Sequence, residues 1–107
     1  MSRQTGFHPD ATEELLEAMD WYEERRAGLG AELYQETLQK LETGFPVPAL
    51  EVDPDGTELH RLLVKRFPYT LYVEKLASGD LFVLAVAHQS RRPGYWTSRR
   101  PRRRRRR

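Results

Sequence analysis

Apolar positions along this chain change period between its two halves. From Ala11 to about Arg26 they fall at Leu15, Ala18, Met19 and Tyr22, the i, i+3, i+4, i+7 spacing of an amphipathic helix, with Glu13, Glu14, Glu17, Asp20, Glu23 and Glu24 mostly on the other face. His8-Pro9-Asp10 reads as its start: a proline at the first helical position gives up no hydrogen bond, and His8 is the cap or flanks it. After Ala27-Gly28-Leu29-Gly30, a second helix carries Tyr34, Leu38, Leu41 and Phe45 on one stripe, with Leu33 and Thr37 beside it. Two amphipathic helices joined by so short a turn pack as an antiparallel hairpin. Beyond a Pro/Asp-rich connection from Pro46 to Gly56, strands are expected at about 58–66, 69–76 and 81–88. Leu81–Ala87 is apolar at every position, as in a central strand covered on both faces. Residues 2–7 add an edge strand ending at Phe7. The pattern predicts β-α-α-β-β-β, an α+β fold with a helical hairpin on a small antiparallel sheet.

Charge alters the picture in two places. The apolar stretch Arg61–Tyr72 carries Arg61, Lys65 and Arg66, and strand alternation puts Arg61 and Lys65 on one side and Arg66 on the other. Residues 91–107 hold ten arginines and no acid, whereas residues 1–90 hold all sixteen acids against eight Lys and Arg. The body is therefore acidic and the basicity belongs to the end of the chain. Residues 1–96 are expected to form one domain and residues 97–107 a disordered Arg-rich tail, which has nothing apolar to bury from Ser98 on. Such a tail suits non-specific contact with nucleic acid, or contact with the acidic body of another copy, or no selected role.

Composition excludes several classes. No apolar run is long enough for a membrane span, no secretory leader is evident, and cytoplasm is the expected location. Without cysteine there is no disulfide framework, thiolate nucleophile or zinc-thiolate site. Glu51, Asp53 and Asp55 lack the spacing of a calcium loop and read as turn chemistry. No metal or cofactor is expected. His60 reads as structural or exposed, and His88, ending a buried strand, as structural rather than as an acid or base. Trp21 and Tyr22 read as core or groove lining.

Taken together, several stretches resemble the RelE/ParE superfamily of toxins from type II toxin–antitoxin systems. They are His8-Pro9-Asp10-Ala11, Asp20-Trp21-Tyr22-Glu23-Glu24-Arg25, Gly28-Leu29-Gly30, Leu63-Val64-Lys65-Arg66-Phe67-Pro68-Tyr69, Ala85-Val86-Ala87-His88, Arg91-Arg92-Pro93 and Trp96. The resemblance spans about residues 5–96 and implies the same element order. It also implies a cytoplasmic growth inhibitor neutralised by a cognate antitoxin. One branch of that superfamily cuts messenger RNA on the ribosome, and the other, ParE-like, poisons DNA gyrase without nuclease chemistry.

Cleavage of RNA by its own 2′-OH needs a proton shuttle, an acid for the leaving oxygen and cations for the phosphorane. Mapped from the ribonuclease branch, Arg61, Lys65, Arg91 and Arg92 supply cations and Tyr95 the late aromatic. Where that branch places an arginine early in the next strand, this chain has Thr70, which cannot stabilise a phosphorane as a guanidinium does. The ParE-like reading is therefore favoured, with the ribonuclease as alternative. For an acidic antitoxin or a protein target, Trp21, Tyr22, Arg66, His88 and Trp96 are the expected binding residues, with Tyr34 and Tyr95 as further aromatic anchors.

Overall fold

The computed structural model describes residues 3–45 and 47–101. In order the elements are strand β1 (Thr5–Phe7), helix α1 (Pro9–Arg25), helix α2 (Leu29–Thr43), strands β2 (Glu51–Val52), β3 (Glu58–Leu63), β4 (Tyr69–Lys75) and β5 (Leu81–His88), and a 3-10 turn at Thr97–Arg99. The class is α+β: two helices and one five-stranded mixed sheet, ordered β1-β5-β4-β3-β2. Two expectations for the sheet are corrected. β1 lies parallel to β5, with Thr5 beside Leu81, so the sheet is not wholly antiparallel. β2, inside the connection read as a loop, pairs with β3.

Helix α1 starts as the sequence suggests, with the His8 Nδ1 accepting the Asp10 N–H at 3.0 Å. At its far end Glu23 reaches across the reversal. Its two oxygens accept the N–H groups of Gly28 at 2.8 Å and Gly30 at 2.9 Å, donors that an α2 N-terminus otherwise leaves orphaned. The helices approach closely at Gly30, where a Cβ would sit 2.6 Å from the Met19 carbonyl oxygen. That contact decides which side of α2 faces inward. Gly30, Leu33, Thr37 and Leu41 are buried, and the stripe expected through Tyr34 and Leu38 is turned out, these two being 41% and 37% exposed.

The main core lies between the hairpin and one sheet face, where Leu15, Ala18 and Leu33 meet Leu62, Leu71, Val73 and Val86. The opposite sheet face has its own cover. Leu59, Leu84 and Ala85 are buried under Trp96, with Tyr72, Phe82 and Tyr95 around them. Trp96 stacks on Tyr72 with ring centroids 4.4 Å apart at 27°.

That cover continues beyond residue 96, so the folded body extends into the segment read as tail. Arg99 donates from Nη1 and Nη2 to both Glu14 oxygens and from Nη1 to the Leu84 carbonyl at 3.0 Å. Arg100 takes the other direction, to Glu74 at 2.9 Å, Glu51 at 2.8 Å and Asp53 at 3.5 Å. Two arginines without any apolar neighbour in sequence are held because the acidic body offers buried carboxylates that need a cation. The disorder expected for Arg102–Arg107 concerns residues outside those described. Among the described residues, no helix is long and apolar enough to cross a membrane.

Candidate functional site: two grooves meeting at the turn after β5

The turn after β5 is drawn tight by four hydrogen bonds, three of them from backbone N–H groups. The Arg91 N–H donates to the His88 carbonyl at 2.9 Å, and the Gln89 N–H to the Pro68 carbonyl at 2.8 Å. The His88 Nδ1 accepts the Ser90 N–H at 3.0 Å and lies 2.8 Å from the Ser90 hydroxyl oxygen. An Nδ1 that accepts leaves the ring proton on Nε2. This turn places Arg91 between two grooves and Arg92 in the second of them.

The first groove, of about 410 Å³, runs between α1 and the end of the sheet, lined by Trp21, Tyr22, Tyr69, His88, Ser90 and Arg91 with Glu14, Glu17, Ala18 and Val86. Its aromatic wall is a continuous edge-to-face series. Trp21 meets Tyr22 at 4.9 Å, Tyr22 meets Tyr69 at 6.4 Å, and Tyr69 meets its register partner His88 at 5.2 Å. Burial and the neighbouring Tyr22 push the Tyr69 phenol above its ordinary range. Trp21 is 49% exposed, and the Arg25 guanidinium, one helical turn on, lies 3.3 Å over its ring. A half-exposed tryptophan held by a cation suits an anchor for an apolar partner side chain.

The second groove, of about 290 Å³, lies on the far sheet face, where Arg61 projects from β3 and Thr70 and Tyr72 from β4, with Arg91, Arg92, Tyr95 and Trp96 closing it. No carboxylate is among its lining residues. Among the described residues Arg61, Arg91 and Arg92 make no ion pair, and Arg91 stacks 3.8 Å over the Tyr95 ring. In a body with an excess of acids, this is a local positive concavity that attracts an oxyanion.

Four expected site residues play other parts. β3 ends at Leu63, so Lys65 and Arg66 sit in the β3–β4 turn rather than on opposite faces of a strand. Lys65 lines neither groove. Arg66, at φ 71°, bonds Glu32 at 2.7 Å and approaches Glu36 at 3.5 Å, tying the turn to α2. Trp96 is 6% exposed under the far face, so it serves as core rather than as an exposed anchor. The Tyr95 hydroxyl donates to Glu14 at 3.0 Å. Burial and the Glu14 charge push its pKa up to about 12, which makes it a weaker acid than a free tyrosine. His60 is buried, with its Nε2 2.8 Å from Glu58 and its ring edge-on to Phe45.

Glu14, Arg99, Glu74 and Arg100 organise the surroundings and were not anticipated. Glu14 accepts from Arg99, from Tyr95 and, at 3.0 Å, from the Val86 N–H on the edge of β5 that β1 leaves uncovered. Burial alone would raise its carboxyl, but the bonds from Arg99, Val86 and Tyr95 together hold it below the usual range. One signal was present in the sequence. Glu14 interrupts the apolar spacing Ala11, Leu15, Ala18 at a core position, where a carboxylate requires a partner.

No protein-family model, curated protein or solved structure matches the chain.

Proposed function

We propose that this chain is a ParE-like toxin of the RelE/ParE type: a growth inhibitor that binds DNA gyrase and is neutralised by a cognate antitoxin. The observation that carries this reading is the commitment of the Tyr95 hydroxyl to Glu14. The groove beside it holds cations, but its late tyrosine is engaged in structure, and Thr70 stands where a further guanidinium is needed. An arrangement that binds anions without a mobile proton favours recognition over cleavage. The half-exposed Trp21 and the Tyr22–Tyr69–His88 wall supply the apolar part of a protein interface, and Arg91 joins it to the cationic part. The helical hairpin on a sheet and the order of the motifs agree with the same family. The test is supercoiling by purified gyrase, which the purified chain inhibits and Trp21→Ala relieves.

A second reading, a ribosome-dependent messenger-RNA endoribonuclease, is favoured by one feature: Arg61, Arg91 and Arg92 gather around a single carboxylate-free groove. Its mark is cleavage of translated messages that Arg91→Ala with Arg92→Ala abolishes. Of the ten terminal arginines, Arg99 and Arg100 are already paired with body carboxylates, so non-specific nucleic-acid contact by the tail falls to the others.

A further inference from the structure

The two outermost strands are short, so β5 and β3, which lie next to them, are each left partly uncovered. The sheet treats the two differently. β1 covers β5 only from Leu81 to Val83. Beyond it the Leu84 carbonyl accepts from Arg99 and the Val86 N–H donates to Glu14, both at 3.0 Å, so side chains cap that edge. On the other side β2 covers β3 only at Glu58 and Leu59. The Val64 N–H donates to the Tyr69 carbonyl at 3.0 Å, so strand alternation turns the N–H and C=O groups of Arg61 and Leu63 away from β4. Among the described residues nothing bonds these outward groups. A sheet that caps one edge and leaves the other bare presents the bare one for pairing.

The side chains beside the bare edge select its occupant. Arg61 and Leu63, two residues apart, share one sheet face and line the carboxylate-free groove together with Arg91 and Arg92. Leu63 is 57% exposed there. We infer that an extended acidic peptide segment adds to the sheet as a further strand beside Arg61–Leu63. It bonds their outward backbone groups and sets its carboxylates against Arg61, Arg91 and Arg92. Every second side chain of such a strand falls over the groove, so alternate acids meet the cations while the backbone pairs. A second copy's β3 fits less well, because from Leu59 to Leu63 it brings another Arg61 and no carboxylate. The edge and the groove define the site, and assigning the segment to an antitoxin rests on the proposed function.

The probe is a fluorescein-labelled octapeptide of alternating glutamate and valine, added to the full chain and followed by anisotropy, with amide exchange read at Arg61 and Leu63. The expected result is saturable binding with a dissociation constant of about 100 μM or below. Both amides exchange fast in the free chain and slow roughly tenfold or more in the complex. Arg61→Gln, at an exposed residue without an ion pair among those described, weakens binding roughly tenfold with Tm unchanged. Backbone N-methylation of the peptide, which keeps its charge, does the same. No saturation up to about 1 mM overturns the inference. So does undiminished binding of the N-methylated peptide, which would reduce the contact to charge alone, or displacement of the peptide by octathymidylate, which would give the groove to nucleic acid. Slow exchange of both amides without peptide, appearing as the chain is concentrated, would give the edge to a second copy and overturn it as well. Gyrase does not enter this readout, so the peptide can fail while supercoiling is inhibited, and bind while it is not.

Discussion

Arg99 closes both of its Nη groups onto the carboxylate of Glu14, 85 residues earlier in the chain, at 3.0 and 2.8 Å. The pair joins α1, the bare edge of β5 and the C-terminal segment at one point. Both side chains are mostly buried, so neither can lose its partner without leaving a charge in the interior. Glu14→Ala is therefore expected to destabilise the fold by about 3–5 kcal/mol, the range for breaking one side of a buried pair. Chemical denaturation of the two proteins measures it. A loss below about 1 kcal/mol, the range of a surface ion pair, would show that the contact is solvated.

The same contact sets a pH dependence. Glu14 is held below the ordinary carboxylate range, so it contributes stability above that range and loses it as the pH falls through its folded value. Glu23, lowered by the Gly28 and Gly30 amides, acts in the same direction. Acid unfolding of Glu14→Gln should be shallower than that of the parent, since one linked proton is removed. Identical acid limbs in the two proteins would contradict the assignment.

Tyr95 gives the alkaline counterpart. A phenol raised to about 12 stabilises the fold fully below the unfolded tyrosine value and stops doing so as the pH climbs through the folded one. Phenolate absorbance should show a late step that Tyr95→Phe removes. If that variant titrates like the parent, the hydroxyl is not held by Glu14.

Gly30 tests the packing of the hairpin. Alanine there places a methyl group 2.6 Å from the Met19 carbonyl oxygen, and backbone must move to admit it. A loss of about 2 kcal/mol or more is expected, within the range for overpacking a close contact. Gly28→Ala, with open space around the Cβ but φ 90°, should lose only about 1–2 kcal/mol through backbone strain. Thermal unfolding of the two variants orders them, and equal losses would mean that the helices separate freely at Gly30.

Much of this architecture was legible from periodicity. The spacing of Leu15, Ala18, Met19 and Tyr22 marked α1 and its inner face, and the unbroken run Leu81–Ala87 marked the central strand. The parts that were not legible depend on residues far apart in sequence. Nothing near Thr5 shows that its strand runs parallel to Leu81, because a parallel partner carries no turn signal. On α2 two stripes share helical spacing, and only the close approach at Gly30 selects Leu33 and Thr37 over Tyr34 and Leu38. Arg99 and Arg100 look like the arginines around them until Glu14 and Glu74, on other elements, are seen to lie beneath. Of the cations the sequence brought forward, the structure places Arg61, Arg91 and Arg92 around one groove and leaves Lys65 outside it, and the sequence could not show that the Tyr95 hydroxyl bonds Glu14.

The proposed function reads that engagement as favouring recognition over cleavage at the site. The most direct test adds purified chain to gyrase supercoiling assays and, in parallel, to translating ribosomes whose messages are then mapped for new ends. Inhibited supercoiling that Trp21→Ala weakens about tenfold or more, the loss typical of an interface anchor, with messages intact, is the expected result. Unimpaired supercoiling together with cut messages that survive Trp21→Ala but vanish in Arg91→Ala with Arg92→Ala would contradict it.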